Sequence, residues 1–227
     1  MPDLILLIIV LIMSAIVHEV SHGVVALWLG DPTAKYAGRL TLNPLKHLDP
    51  FGSFLMPLLL YISTGFFFAA AKPVPYNPYN LRDQKYGPAI VGGAGPLSNI
   101  IIALVFGIFL RIFMVSGLVP AGDAASLIGN IFSGNSLLGS GLSAIAIIFI
   151  MIIYINILLA IFNLIPFPPL DGSKILFAVL PISEETKLRL EQGGFFFLLL
   201  FVFIFRKQVF MVIGFIEIVF FKLILGI

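Results

Sequence analysis

The chain contains no cysteine and few charged residues. Without cysteine it has neither a disulfide framework nor thiolate chemistry, so any bound metal must be held by His, Asp or Glu. Only 11% of the 227 residues are charged, against about 25% in an average soluble domain. With 60% hydrophobic residues and a mean hydropathy of +1.13, this deficit places the chain in the membrane class. The net charge of only +2 gives no sign of a nucleic-acid partner, and we expect none.

The N-terminus lacks the basic residues of a cleaved signal peptide. The chain begins Met1-Pro2-Asp3, and an apolar run follows from Leu4 to Leu29. Because a membrane helix needs about 20 apolar residues, this run predicts a retained first span. Its only ionisable residues are Glu19 and two histidines. Such groups are costly at membrane depth, so they indicate a functional site.

The later apolar runs predict an all-α polytopic membrane protein with about four to six membrane segments. They lie at Phe51–Ala71, Gly87–Val119, Ser143–Ile165, Gly193–Phe205 and Val209–Ile227. The run from Gly193 is short for a span unless it extends into its flanks. We expect one membrane-embedded domain over residues 1–227, with a core at 4–180 and C-terminal membrane segments at 193–227.

The distribution of Lys and Arg predicts the orientation in the cell membrane. The loops Gly30–Pro50 and Lys72–Tyr86 hold three basic residues each, whereas the connection Ala121–Ser140 holds none. The basic loops should therefore be cytoplasmic. Phe51–Ala71 would then enter and leave on one face as a re-entrant element, with a full span as the alternative. The alternation within Gly38–Leu42 predicts a short strand.

The first span carries a metal-binding pattern. On a helix His18 and His22 lie one above the other on the same face. This is the spacing of two zinc ligands, and Glu19 between them could act as the general base of hydrolysis. Because Glu19 lies about 100° round the helix from His18, it can flank the metal without binding it.

A catalytic zinc takes three protein ligands and leaves one position open. Asp171 is the best third candidate, because it follows a membrane span in a proline-rich turn on the predicted cytoplasmic side. The equally weighted alternative is that Asp171 caps the helix that follows. His47, in the first basic loop, is more readily explained as a loop histidine than as a ligand.

Three asparagines lie within or beside the apolar runs. Hydrogen bonding between helices explains Asn156 best. Asn163 is different, since it precedes Asp171 by eight residues and could direct its amide at a substrate carbonyl or oxyanion. Asn99 follows the small-residue stretch Gly92–Gly95, which would let neighbouring helices approach closely.

The chain resembles the site-2 protease family, the intramembrane zinc metalloproteases, in its compact prokaryotic branch without a PDZ domain. Three motifs on three membrane segments carry the resemblance, and they occur in the family's order. They are His18-Glu19-Val20-Ser21-His22, Gly95-Pro96-Leu97-Ser98-Asn99 and the stretch Asn163–Gly172. The resemblance covers about residues 5–180. No loop exceeds about twenty residues, so the chain has no room for a PDZ domain.

The resemblance implies one Zn2+ per chain, held by His18, His22 and Asp171, with Glu19 activating the zinc-bound water. Asn163 would bind or polarise the substrate peptide. The motif of Gly95, Pro96 and Asn99 would be structural. The substrate would be a membrane protein, cleaved within or near its own membrane helix.

The resemblance also implies short edge strands at 38–42 and 74–76, to which an unwound substrate could add by backbone pairing. A second hypothesis is a membrane metal transporter or sensor that uses the same His/Asp cluster. Transport would favour repeated halves, and no internal repeat is visible. The oligomeric state is not readable from the sequence.

Overall fold

The chain forms seven α-helices in the part that the computed structural model describes, residues 2–47, 72–133 and 144–226. They are α1 (Pro2–Trp28), α2 (Thr33–Tyr36), α3 (Gly87–Val115), α4 (Ala121–Ser133), α5 (Ala144–Leu164), α6 (Asp171–Val179) and α7 (Glu184–Leu225). Single 3-10 turns occur at Pro44–Lys46 and Pro78–Asn80. The prediction of an all-α protein is confirmed for these residues.

Five helical stretches within the described ranges are long and apolar enough to cross a membrane. They are Ile5–Trp28, Gly87–Val115, Ala144–Leu164, Glu185–Phe205 and Lys207–Leu225. The last two are the halves of α7, which is kinked at Phe205. The short run predicted from Gly193 is thus extended at its N-terminal side into a 21-residue stretch. The predicted re-entrant element Phe51–Ala71 lies outside the described residues.

Helix α3 occupies the centre of the helix bundle and packs against α1, α5, α6 and α7. Its N-terminal half includes the small-residue stretch Gly92–Gly95, and small residues let neighbouring helices approach closely. Around its C-terminal half, large apolar side chains from four helices are buried together, among them Leu110, Leu127, Ile150 and Phe221. The larger apolar core therefore fills one end of the bundle, and a smaller apolar cluster of Ala26, Leu81 and Val91 lies near the other end.

The connection that begins at Ala121 contains a helix in its described part, residues 121–133. Its first part forms α4, which packs against α5. Ala124 and Leu127 are fully buried there. Residues three apart lie on the same face of a helix, so this pair gives α4 an apolar face that the surrounding Gly and Ser residues obscure.

The prediction of a strand at Gly38–Leu42 is wrong. These residues form a turn and irregular backbone after α2. Gly38 has a φ of +63°, which is a left-handed conformation and not that of a strand. The alternation of apolar and polar residues over these five positions therefore does not reflect a β-strand.

The second predicted edge strand, Val74–Tyr76, is also absent. Pro73 and Pro75 carry no backbone N–H. The N–H of Val74 between them donates to a side chain of α1 instead of a neighbouring strand. Residues 73–75 therefore have no backbone donor left for a β-ladder, and the predicted β-edge is not part of the fold in the described residues.

Candidate metal centre

Two buried histidines of α1 face the first residue of α6. His18 and His22 lie one turn apart, with ring centroids separated by 4.7 Å. Oδ2 of Asp171 lies 3.0 Å from Nε2 of His18 and 3.2 Å from Nε2 of His22. One donor atom of each residue falls within 4.8 Å of the other two. The structure therefore brings together the three residues that the sequence predicts as metal ligands.

The other ring nitrogen of each histidine is held by an oxygen of α3. Nδ1 of His18 lies 2.6 Å from Oδ1 of Asn99, and Nδ1 of His22 lies 2.6 Å from the carbonyl oxygen of Val91. Both oxygens are acceptors, so each Nδ1 carries the hydrogen. The Nε2 atom of each ring is then directed towards Asp171, as in other sites where a second contact orients a histidine ligand.

The orientation of Asn99 is itself determined by a buried network. Its Nδ2 donates to Oδ1 of Asn156 at 2.7 Å, and Nδ2 of Asn156 donates to Oγ of Ser14 at 2.9 Å. This chain joins α3, α5 and α1. Because Nδ2 of Asn99 is used as a donor, its Oδ1 is the atom that faces His18. The predicted role of Asn156 in hydrogen bonding between helices is confirmed.

Two neutral imidazoles cannot satisfy the contacts in this cluster by hydrogen bonds alone. Each ring faces an oxygen at both nitrogens, whereas a neutral imidazole has only one N–H to donate. A metal ion between the two Nε2 atoms and Oδ2 of Asp171 would give each lone pair a partner and leave both histidines neutral. Two imidazole nitrogens and one carboxylate oxygen form a donor set found in catalytic zinc sites. The residues present therefore fit zinc.

Gly95 of α3 provides the space in front of both imidazoles. A Cβ at this position would lie 2.5 Å from Nε2 of His18 and 2.5 Å from Nε2 of His22. These are the two atoms that would bind the metal. Any side chain at residue 95 would therefore occupy the centre of the site, which explains why glycine stands here. Pro96 lies buried beside it within the same helix.

Asp171 is anchored by a lysine one turn further along α6. Nζ of Lys174 lies 3.0 Å from Oδ1 of Asp171, which leaves Oδ2 for the histidines. Burial by itself raises the pKa of Asp171, but the hydrogen bonds that His18 and His22 donate when their Nε2 atoms are protonated, together with the charge of Lys174, outweigh burial and hold the pKa well below its usual range. Asp171 is therefore a carboxylate, the form that a metal ligand needs.

The alternative role of Asp171 as a helix cap is not observed. The N-cap of α6 is Leu170, which makes no side-chain capping bond, and Asp171 is the first residue inside the helix.

The partner of Asp171 is also charged. Burial lowers the pKa of Lys174, but the charge of Asp171 outweighs that effect and raises it. The Asp171–Lys174 pair is thus charged on both sides.

Glu19 lies beside the cluster and is held by the loop before α3. Its Oε2 accepts a hydrogen bond of 2.9 Å from the backbone N–H of Val74. The guanidinium of Arg39 lies 3.5 Å and 3.4 Å from the carbonyl oxygens of Lys72 and Pro73. The loop is thus held from both sides, by Glu19 through an N–H and by Arg39 through two carbonyl groups.

Comparison with known proteins identifies the family of the chain. The model of "Peptidase family M50" matches residues 6–205. The chain belongs to peptidase family M50. The predicted membership of the site-2 protease family is confirmed, and so is the prediction of a metallopeptidase.

Two relatives of this M50 peptidase carry related names. The chain is 37% identical over 198 residues to "Putative zinc metalloprotease YwhC" of Bacillus subtilis (strain 168), covering 86% of this chain and 80% of the relative. It is 28% identical over 185 residues to "Putative zinc metalloprotease Rip2" of Mycolicibacterium smegmatis (strain ATCC 700084 / mc(2)155), covering 81% of this chain but only 61% of the relative. No solved structure matches the chain.

Two other predicted residues of the M50 peptidase lie outside the ligand cluster. Asn163 is partly buried near the end of α5, where its Nδ2 donates to the carbonyl oxygen of Leu159. Its role towards a substrate stays a prediction. His47 is buried in the first basic loop, and its Nε2 lies 2.7 Å from the carbonyl oxygen of Thr41. His47 thus lies outside the ligand cluster, but its Nδ1 is buried without a hydrogen-bond partner among the described residues, so the interpretation of His47 as a loop histidine stays a prediction.

Two features of the site were missed in the sequence. Lys174 follows Asp171 by three residues, a spacing that places both on one face of a helix, so the pair could have been found. The contact of Val74 with Glu19 joins residues 55 positions apart. It follows no periodicity, so no pattern in the chain pointed to it.

Proposed function

We propose that this M50 peptidase is a zinc-dependent intramembrane endopeptidase that cleaves peptide bonds within or near membrane segments of other proteins. The observation that carries the proposal is the meeting of His18, His22 and Asp171 inside a bundle of apolar helices. Glu19 lies next to this cluster but outside it. Ligands with a separate carboxylate beside them are what metal-assisted hydrolysis needs.

Nε2 of His18, Nε2 of His22 and Oδ2 of Asp171 would hold the ion. Zinc bound there supplies a Lewis acid that polarises the scissile carbonyl group and lowers the pKa of water. The predicted zinc cofactor is confirmed by the family, by the names of the two relatives and by the donor set. The described residues contain one such cluster, which supports one ion per chain.

Glu19 has the position of the general base. It takes a proton from the attacking water as the water oxygen bonds to the scissile carbonyl carbon, and passes this proton to the leaving nitrogen as the C–N bond breaks. Val74 binds Oε2, so among the described residues Oε1 is the less engaged oxygen and the one to take the proton. Asn163 would bind the carbonyl group of the substrate or the oxyanion formed from it.

The site lies at the end of the bundle that adjoins the basic loops. His22 precedes the end of α1 by six residues, and Val91 lies in the first turns of α3. Both helix ends lead into segments rich in Lys and Arg, which face the cytoplasm in most membrane proteins. These features support an active site that opens towards the cytoplasmic side, where the substrate would be another membrane protein.

One comparison tests the proposal. Wild type, Glu19→Gln and the exposed control Glu185→Gln are purified and measured for bound zinc and for cleavage of a membrane-helix substrate. We expect all three to bind zinc, and only Glu19→Gln to lose cleavage. Cleavage by Glu19→Gln at the wild-type rate would overturn the role of Glu19. Zinc-loaded wild type that cleaves no membrane helix but carries zinc across vesicles would favour a transporter.

A further inference from the structure

The two oxygens of the Asp171 carboxylate have different partners. Oδ2 lies 3.0 Å from Nε2 of His18 and 3.2 Å from Nε2 of His22. Oδ1 lies 3.0 Å from Nζ of Lys174. The carboxylate is therefore divided between the proposed metal position and a cation of its own helix.

Lys174 is held beside Oδ1 from two sides. Its stem packs closely on α3, where a Cβ at Gly92 would lie 3.0 Å from both Cβ and Cδ of Lys174. Its Nζ lies 5.5 Å from the ring centroid of Tyr76, the geometry of a cation–π contact. The backbone of α3 and the ring of Tyr76 thus limit the other positions that the ammonium group can reach.

The ion pair between Asp171 and Lys174 is largely shielded from water. Their side chains are only 8% and 21% exposed. Exposed ion pairs contribute little because water screens them, whereas charges removed from water interact more strongly. The spacing of three residues also places both side chains on one face of α6. Lys174 therefore holds Oδ1 more firmly than an exposed lysine would.

The number of oxygens that Asp171 gives to the metal determines how much of the metal stays accessible. A carboxylate can bind a metal ion through one oxygen or through both. A catalytic zinc site has three protein ligands and one open position, and a second oxygen of Asp171 would compete for that position. The ammonium group opposes this, because moving Oδ1 onto the ion would leave a shielded cation without its partner.

We propose that Lys174 is a positioning residue that restricts Asp171 to coordination through one oxygen and so keeps one position of the metal open. The inference rests on the proposed function, because it takes His18, His22 and Asp171 as the ligands. A purely structural role of Lys174 has a different consequence. Its loss would leave Asp171 unanchored and would weaken metal binding.

Cobalt in place of zinc tests the coordination without relying on cleavage. The full chain is purified in detergent, freed of metal and loaded with Co2+. Four-coordinate Co2+ absorbs visible light more strongly than five-coordinate Co2+. Lys174→Met keeps an unbranched side chain and removes the ammonium group, so we expect it to lose absorption intensity. X-ray absorption of the zinc form should show one more oxygen neighbour in this variant than in wild type.

Zinc affinity and kcat should respond differently to Lys174→Met. Removing a positive charge beside the ion favours metal binding, so the zinc Kd, measured by competition with a chelator, should not rise. With the open position filled by Oδ1, kcat should fall by about 10-fold or more, as for other residues behind metal ligands. KM should stay unchanged, because Lys174 has no proposed contact with the substrate.

Two further variants show which property of Lys174 matters. Lys174→Arg keeps a cationic donor and should retain the cobalt spectrum of wild type. Lys85→Met makes the same change as Lys174→Met at an exposed lysine of the loop before α3, whose Nζ lies 4.9 Å from the ring centroid of Tyr86. It should retain the cobalt spectrum, the zinc Kd and the kcat of wild type.

Three results would overturn the proposal: an unchanged cobalt spectrum in Lys174→Met, the same loss of intensity in Lys174→Arg, or weaker zinc binding by Lys174→Met. The last result includes a variant that binds no metal, and it would give Lys174 a purely structural role. Cleavage of a membrane-helix substrate by zinc-loaded wild type is measured in parallel. Absence of cleavage there would overturn the proposed function, whereas the cobalt spectra and the zinc Kd values report on the coordination by Asp171.

Discussion

The backbone N–H of Val74 donates a hydrogen bond of 2.9 Å to Oε2 of Glu19. The prolines on both sides of Val74 have no N–H, so residues 73–75 have one backbone donor, and the proposed general base accepts it. A carboxylate held at one oxygen has fewer orientations available. The loop before α3 therefore positions the proposed base, although it provides no ligand of the metal cluster.

Replacing Val74 by proline tests this positioning. Val74→Pro removes the N–H and leaves a run of three prolines. Hydrogen bonds to charged groups contribute about 1.5–3 kcal/mol, so we expect kcat to fall by roughly 10- to 100-fold. Zinc content should stay at one ion per chain, because His18, His22 and Asp171 are unchanged.

Val74→Ala is the matched control for that variant, since it keeps the N–H and shortens only the side chain. It should keep kcat within about threefold of wild type. If the alanine variant lost as much kcat as the proline variant, packing of the buried Val74 side chain would be the cause, and the hydrogen bond would have no separate role.

Gly95→Ala should abolish zinc binding. The added Cβ would lie 2.5 Å from Nε2 of both His18 and His22, inside contact distance and in the space that the ion needs. Alanine is a better helix former than glycine by about 1 kcal/mol, so the loss would not come from weakening α3. The measurement is the zinc stoichiometry of the purified variant.

Gly93→Ala provides the matched control two residues away on the same helix. A Cβ at residue 93 meets nothing within 4 Å in the described structure. We expect this variant to bind zinc as wild type does and to cleave substrate at the wild-type rate. Full zinc occupancy in Gly95→Ala would show that the ion lies elsewhere than between the two Nε2 atoms.

The ligand set could be predicted because short-range helix geometry determines most of it. Four residues make one turn of a helix, so the spacing of His18 and His22 places both rings on one face whatever the rest of the fold does. Asp171 required one further inference, that two helix ends lie on the same side of a membrane. The membrane spans themselves, such as Gly87–Val115, could also be predicted, because the hydropathy of the residues is enough to indicate them.

Contacts that depend on loops could not be predicted in this way. Val74 reaches Glu19 through a segment whose prolines suppress any regular pattern, and the alternation at Gly38–Leu42 indicated a strand that the turn at Gly38 prevents. From the sequence, Gly95 was expected only to let neighbouring helices approach closely, as small residues generally do. Its actual neighbours, the nitrogens of two imidazoles on another helix, depend on how α1 and α3 are rotated, and a small residue by itself does not specify that rotation.

Asn99 and Asn163 should differ in what they affect. Asn99 orients His18 through a bond of 2.6 Å, so Asn99→Ala should weaken zinc binding by about 10- to 100-fold, as for other residues behind metal ligands. Asn163 makes its bond within its own helix. Asn163→Ala should leave the zinc affinity unchanged but lower kcat/KM.

Competition with a zinc chelator measures the first effect, and cleavage at saturating zinc measures the second. If excess zinc restored full activity to Asn99→Ala, its effect would be on metal affinity alone. Weakened zinc binding in Asn163→Ala would mean that Asn163 supports the ligands and has no separate part in binding the substrate.

Asp31 should make stability depend on pH. Its fully buried carboxylate accepts bonds from the hydroxyl of Thr33, Nδ2 of Asn80 and the backbone N–H of Asn77 and Thr33, at 2.5, 2.9, 2.7 and 3.1 Å. Burial by itself raises the pKa of Asp31, but the bonds from Thr33, Asn80 and Asn77 outweigh it and lower the pKa below its usual value. These bonds join the end of α1 to the loop before α3.

A lowered pKa means that the folded state favours the ionised form. The stabilisation that ionised Asp31 gives the folded state is fully present above the pKa of aspartate in the unfolded chain, about 3.9. It is lost as the pH falls through the lower pKa of Asp31 in the folded state. Asp31→Asn should therefore reduce the free energy of unfolding near neutral pH by about 1–3 kcal/mol. The difference in free energy of unfolding between the variant and wild type, called the gap below, should narrow below about pH 4. Thermal unfolding in detergent at a series of pH values measures both. A gap that stays constant through the acidic range would assign the loss to the shape of the side chain and not to its charge.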